Sequence, residues 1–147
     1  MVTAQNILYS VSSARRILGI YYPEITVKIQ VWKTVIWVQV AGKRPTFISK
    51  SVFKKHFVEW RQQQAKNIAV SRDFYDRDSY QVQNGTKGTV YAVQTLPLEL
   101  ICGCEDYWNQ IKFFGKGCCK HGYAVLNYLG CKSLAEYQAA KGQAVAA

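Results

Sequence analysis

Two closely spaced ligand pairs in the second half of the chain constrain its fold most. A C-x-C motif at residues 102–104 is followed, after fourteen residues, by a C-x-H motif at residues 119–121. Cysteines two apart at the end of a strand point the same way, and the second pair lies where a loop enters a predicted helix. Two pairs on two elements make the tetrahedral set that a structural zinc ion requires. The predicted zinc ligands are Cys102, Cys104, Cys119 and His121.

Two other cysteines bear on this prediction. Cys118 precedes the second pair, so a pairing of Cys118 with His121 is sterically possible, although the C-x-H pattern favours Cys119. Cys131 lies about one helix length beyond His121 and is expected to be a small buried hydrophobe. The N-terminal residues show no secretory signal, and we expect a cytoplasmic protein. In a reducing compartment, metal ligation or free thiols are favoured over disulfides.

The pattern C-x-C, a variable loop, then C-x-H resembles the SWIM zinc finger. Strands lead into the first pair, an acidic-aromatic step (EDY, 105–107) follows it, and residues 119–126 (CKHGYAVL) resemble the family's "CKH" helix start. The match covers residues 79–131, about a third of the chain. The resemblance implies a ββα zinc module that binds DNA or protein and has no catalytic activity of its own.

Hydrophobic periodicity predicts an α+β protein. In residues 1–70, a helix at 12–19, strands at 25–31, 34–41 and 46–48, and a helix at 49–66 form a basic α-β-β-β-α unit. Residues 71–79 are expected to be a linker. Residues 80–147 then contain strands at 80–83, 89–95 and 98–102, a loop, a helix at 122–129 and a last helix after the capping-box pattern at 133–136. This second part is the predicted SWIM-like zinc module.

The basic charge is concentrated in the first half of the chain. The formal net charge is +10, and residues 1–70 hold eleven Lys and Arg against two acids, whereas residues 71–147 hold eight against seven. Basic proteins attract polyanions through counterion release. We therefore expect a nucleic-acid partner, with DNA favoured by the SWIM resemblance, and a basic protein without a polyanion partner is the alternative. No run approaches the roughly 18–20 apolar residues that span a bilayer.

Five basic residues are candidate phosphate contacts. Two lie in the turn between the second and third strands, and three share the helix face opposite the apolar one. An ordinary solvated face is the alternative for the helix. These residues are Lys43, Arg44, Lys50, Lys54 and Arg61. Trp32 follows the outward-facing positions of the first strand in register and is a candidate for stacking on bases.

The leading functional hypothesis is a non-catalytic, zinc-binding protein that binds nucleic acid. A protein-interaction adaptor that docks through the zinc module is the alternative. A more distant one is a metal-dependent nuclease that uses the acidic cluster of Asp73, Asp76 and Asp78, for which local ion pairs are the simpler account. The sequence contains no phosphate-binding loop, H-E-x-x-H or G-x-S-x-G motif, so no enzymatic activity or small-molecule substrate is predicted.

Overall fold

The computed structural model describes residues 1–85 and 87–146. The chain divides into two compact units, Met1–Trp60 and Arg61–Ala147. Each unit contains helices and one small antiparallel sheet, so the predicted mixture of helices and antiparallel strands is confirmed. Within the described residues, no helix combines the length and the apolar character needed to cross a membrane.

The first unit packs helices against a three-stranded sheet of order β1-β2-β3. Its elements are α1 (Ala4–Leu8), α2 (Val11–Leu18), β1 (Val27–Val31), β2 (Val35–Val40), β3 (Thr46–Ser49) and α3 (Lys50–Ala65), in which the unit boundary falls. Ser10 caps α2, and Gly19 ends it in the left-handed conformation with φ of 70°. The predicted elements are present with shifted ends, and α1 is additional.

The core of the first unit is built from carbon-rich side chains. Alternate residues of the strands face inward, and Ile36, Val38 and Phe53 are fully buried. The Phe53 ring meets the Tyr9 ring edge-on, with centroids 5.7 Å apart. Ile36 and Val38 of β2 therefore pack with Phe53 of α3 in one apolar cluster.

The second unit has a four-stranded antiparallel sheet of order β4-β5-β6-β7, followed by three helices. Its elements are β4 (Ile68–Arg72), β5 (Ser79–Asn84), β6 (Val90–Thr95), β7 (Leu100–Cys102), α4 (Glu105–Phe114), α5 (Lys120–Tyr128) and α6 (Leu134–Ala146). Its core contains Tyr80, Val82, Val93, Val125 and Leu126 together with cysteines of the two motifs. The predicted strands and the last two helices are present.

Two segments of the second unit differ from the prediction. Residues 71–79 are not a linker. The strands β4 and β5 pair with each other, with Val70 opposite Val82, and the residues between them form the turn of a β-hairpin. Residues 105–118 are not a loop throughout, since α4 occupies 105–114 and ends at Gly115 with φ of 71°. The second unit therefore has one strand and one helix more than the three strands and two helices predicted for it.

Candidate metal centre

Three secondary-structure elements bring the two ligand pairs together. Cys102 is the last residue of β7, and Cys104 is the N-cap of α4. Cys119 is the N-cap of α5, and His121 lies in the first turn of that helix. All four side chains are buried, with at most 5% of each exposed.

The four side chains converge on one point. Their potential ligand atoms all lie within 4.8 Å of one another. His121 Nδ1 is 3.6 Å from Cys102 Sγ and 3.8 Å from Cys119 Sγ. A tetrahedral zinc ion with Zn–S of about 2.3 Å and Zn–N of about 2.0 Å holds sulfur and nitrogen ligands about 3.6 Å apart. The donor set and its spacing therefore fit a tetrahedral metal ion.

Helix N-termini favour thiolates at two of these positions. Cys104 Sγ accepts a hydrogen bond from the Tyr107 backbone N–H at 3.4 Å, and Cys119 Sγ accepts one from the Gly122 N–H at 3.4 Å. Each sulfur thus lies at the N-terminus of a helix, where a free backbone N–H donates a hydrogen bond to it and the helix dipole is positive. The local backbone therefore gives both sulfurs a hydrogen-bond donor of the kind that a metal-bound thiolate accepts.

Hydrogen bonds between the thiols shift their pKa values in opposite directions. The hydrogen bond that the Cys102 thiol donates to Cys104 raises the pKa of Cys102 to about 11. That bond and a second one from Cys119 lower the pKa of Cys104 well below its usual range. Hydrogen bonding to Cys102 and Cys104, with burial, raises the pKa of Cys119. Since a metal ion binds thiolates, its binding would displace protons from this group of thiols.

The remaining cysteines lie outside the cluster. The Cys118 thiol is directed to the Cys119 carbonyl oxygen at 3.9 Å, and burial raises its pKa to about 12. A Cβ atom on Gly122 would lie 3.0 Å from Cys118 Sγ, so this thiol fills the space beside the helix start. Cys131 packs against the core, as expected of a small hydrophobe, but it is half-buried rather than buried. The structure therefore groups Cys119, rather than Cys118, with the other three.

A polar network holds the loop that carries the second ligand pair. The buried Gln110 side chain accepts a hydrogen bond from the Cys118 N–H at 3.0 Å and donates one to the Cys118 carbonyl at 3.2 Å. Its amide also donates to Asp106 Oδ2 at 3.1 Å. Asp106 in turn forms a two-point ion pair with Arg61, with distances of 2.9 and 2.7 Å. Gln110 and Asp106 thus position the backbone next to Cys119.

Gln110, Asp106 and the capping cysteines were not identified from the sequence as supports of this site. The available signal was Gly115, a glycine suited to a helix C-terminus, eleven residues after Cys104. Gly103 lies between the first two ligands, where a glycine could serve to let the chain bend. It has no positive φ, and a Cβ atom there would meet nothing within 4 Å. The turn at the C-x-C motif therefore does not require glycine.

The five predicted phosphate contacts have different environments. Lys43 and Arg44 are exposed in the turn between β2 and β3, and Lys54 is exposed on α3. Lys50 is half-buried and donates a hydrogen bond to the Lys33 carbonyl oxygen at 3.0 Å. The Arg61 side chain is only 15% exposed because its guanidinium pairs with Asp106. The predicted stripe of Lys50, Lys54 and Arg61 is thus wrong at Arg61, since helical spacing does not reveal a partner 45 residues away.

The acidic cluster of residues 73–78 shapes the turn between β4 and β5. Asp73 Oδ1 accepts hydrogen bonds from the backbone N–H groups of Tyr75 and Asp76, at 2.8 and 3.0 Å. Asp76 Oδ1 accepts one from the Asp78 N–H at 2.9 Å. These are the side-chain-to-backbone bonds by which aspartate stabilises turns. Two of the three carboxylates thus have a structural role, although through backbone amides rather than ion pairs.

Comparison of the chain with protein-family models, curated proteins and solved structures found no significant match. The likeness to the SWIM finger therefore rests on the motif residues alone.

Proposed function

We propose that Cys102, Cys104, Cys119 and His121 bind a structural zinc ion, and that the protein is a non-catalytic nucleic-acid-binding protein. The convergence of four buried ligand atoms within 4.8 Å carries the first part. Three thiolates and an imidazole favour zinc over hard cations such as Mg²⁺ and Ca²⁺. Four protein ligands complete a tetrahedral shell, so the ion would hold β7, α4 and α5 together rather than activate water.

A relation to the SWIM finger is part of this proposal. Its support is the order of the elements: a β6–β7 hairpin leads into the C-x-C pair, and the C-x-H pair begins a helix. The insertion of α4 between the pairs extends the simpler ββα arrangement that the resemblance implies.

Metal content measured on protein purified without added metal tests the zinc proposal. We expect one zinc ion per chain in the wild type and in Cys118→Ser, whose thiol lies outside the cluster. Cys119→Ser should lose the ion, because a hydroxyl does not replace a thiolate ligand. Absence of zinc from the wild-type protein, with folding unaffected by a chelator, would contradict the proposal, and loss of zinc from Cys118→Ser alone would reassign the third ligand.

Charge and exposure support the nucleic-acid part of the proposal. Residues 1–60 hold nine Lys and Arg against two acids. Lys43, Arg44 and Lys54 are exposed and remain suited to phosphate contacts. Contacts of this kind contribute to affinity for any sequence rather than to the recognition of a particular one.

A salt titration of oligonucleotide binding tests this part. Affinity should fall steeply with salt, and Lys43→Ala and Arg44→Ala should each reduce the slope of log affinity against log salt by about one. Lys116→Ala is the matched control, because it removes the same charge from an exposed position of the second unit. Absence of binding at low salt, or an equal effect of all three variants, would contradict the assignment.

One observation favours the adaptor as a second candidate. Trp108 lies on α4 between the two ligand pairs and is 54% exposed, which is unusual for so large an apolar side chain. A protein partner would bury it, so Trp108→Ala should abolish that interaction and leave oligonucleotide binding unchanged. Loss of oligonucleotide binding in this variant would count against the adaptor.

A further inference from the structure

One face of the sheet in the first unit is lined by exposed and half-buried side chains. Alternation along β1 turns Val27 and Ile29 toward the core and turns Lys28 and Gln30 to the opposite side. The register places Gln30 opposite Trp37, and Trp37 opposite Phe47. We call this side the outer face, and it consists of Lys28, Gln30, Trp37, Gln39 and Phe47, with Trp32 immediately after β1.

Aromatic rings are concentrated on the outer face. Trp32 is 45% exposed and Phe47 is 54% exposed, and their ring centroids lie 5.0 Å apart. The Trp32 indole N–H donates a hydrogen bond to Gln30 Oε1 at 3.2 Å, which orients the ring. Trp37 is half-buried between its neighbours in the register. Large aromatic side chains are normally buried, so adjacent exposed rings held in place indicate a contact surface.

The charge around these rings is positive throughout. From Val27 to Ser49 the chain contains four Lys and Arg and no acidic residue. Lys28 shares the outer face itself, one alternate position from Gln30. Lys43 and Arg44 are exposed in the turn that leads into β3, and Phe47 lies only three residues after Arg44. By the register, Lys28 lies opposite Gln39, at the same end of the sheet as the turn that carries Lys43 and Arg44. A ligand that extends from the rings toward that end of the sheet therefore meets these cations.

We propose that the outer face binds single-stranded nucleic acid, with unpaired bases stacked on Trp32 and Phe47 and phosphates held by Lys28, Lys43 and Arg44. Aromatic rings accept any base as a stacking partner when it is unpaired, and a basic surface follows the backbone. Bases of a duplex are already stacked on one another, so they cannot use these rings. This inference rests on the proposed nucleic-acid function and adds which strand form is bound and where.

Binding of a fluorescent deoxythymidine oligonucleotide and of a duplex of equal length, compared at low salt by anisotropy, tests the proposal. Trp32→Ala and Phe47→Ala should each weaken single-strand binding about 5- to 150-fold, as removal of one stacking ring does. Both variants should leave duplex binding unchanged. Phe47→Tyr should keep wild-type affinity, whereas Phe47→Leu, which is apolar without a ring, should behave like Phe47→Ala.

Tyr75→Ala is the control, since this side chain is 93% exposed but lies in the β4–β5 turn of the second unit. It should bind both oligonucleotides as the wild type does. If Lys43→Ala and Arg44→Ala weaken binding while the aromatic variants do not, the outer-face proposal is wrong and the proposed function stands. If the wild type binds neither oligonucleotide at low salt, both are wrong.

Discussion

The cores of the two units differ in chemistry although both lie against a small antiparallel sheet. The core of Met1–Trp60 is aliphatic and aromatic, with Ile36, Val38 and Phe53 fully buried. The core of Arg61–Ala147 includes three buried cysteines, and His121 is buried beside them. A carbon-rich core is stabilised by burial alone, whereas thiols and an imidazole contribute most when they bind a metal ion. The comparison therefore predicts that only the second unit depends on metal.

Removal of the metal should have the largest effect. Structural zinc contributes about 10–16 kcal/mol in small peptides at neutral pH, so chelation should unfold the second unit. Hydrogen exchange resolved by peptide should show loss of protection in Ser79–Asn84, Val90–Thr95 and Lys120–Tyr128, with Val27–Val40 still protected. An equal loss of amide protection in both units after chelation would show that dependence on metal does not distinguish them.

A cavity in the first core should produce the opposite pattern. Phe53 is fully buried, and Phe53→Ala should destabilise the first unit by about 3–5 kcal/mol through lost burial and the cavity left behind. Zinc content and amide protection in the second sheet should remain at wild-type levels. Phe74→Ala is the matched control, because Phe74 is 92% exposed and its removal should cost less than about 0.5 kcal/mol. Loss of zinc from Phe53→Ala would show that the two cores are not separately stabilised.

The features that the sequence predicted well are short in range. The strands of the first unit follow from alternation within a few residues, and the ligand pairs follow from spacings of two. The four-ligand grouping is the exception in range, since it spans nineteen residues; it was predictable because a structural zinc ion needs four ligands and each short motif supplies two. In each of these cases the spacing of the residues follows directly from the geometry of a strand or of a metal site.

The missed features depend on partners that local patterns do not reveal. The N-cap of α4 is a cysteine sulfur, which is not among the usual capping residues, so this helix looked like a loop. The strand β4 is short, and the acidic turn after it has the composition of a linker. Only the pairing of β4 with β5 shows that the segment belongs to a hairpin. Arg61 looked like a free cation on a helix, although Asp106 binds it from 45 residues away. The strand β4 and Arg61 were decided by tertiary contacts, and the start of α4 was decided by an unusual local cap.

The polar network beside the second ligand pair should have an intermediate effect. Gln110 is buried, and Gln110→Ala would leave the Cys118 N–H and carbonyl without this partner, at a cost of about 2 kcal/mol. Chemical denaturation of the zinc-loaded protein measures this cost. Gln94→Ala removes the same side chain from an exposed strand position and should change stability by less than about 0.5 kcal/mol. Equal effects of the two variants would show that the network does not support the site.

The smallest effect is expected at Gly103, inside the first ligand pair. A Cβ atom there would meet nothing within 4 Å, whereas one at Gly117 would lie 2.7 Å from Gln110 Cβ. Gly103→Ala should therefore change stability by less than about 1 kcal/mol and can be stabilising, because alanine restricts the unfolded chain. Gly117→Ala should be destabilising by about 1 kcal/mol or more through overpacking. Denaturation and zinc affinity of the two variants compare them directly. A larger loss in Gly103→Ala would mean that the motif itself needs a flexible chain. If Gly117→Ala is the more destabilising of the two, the tight packing lies around Gln110 and not within the first ligand pair.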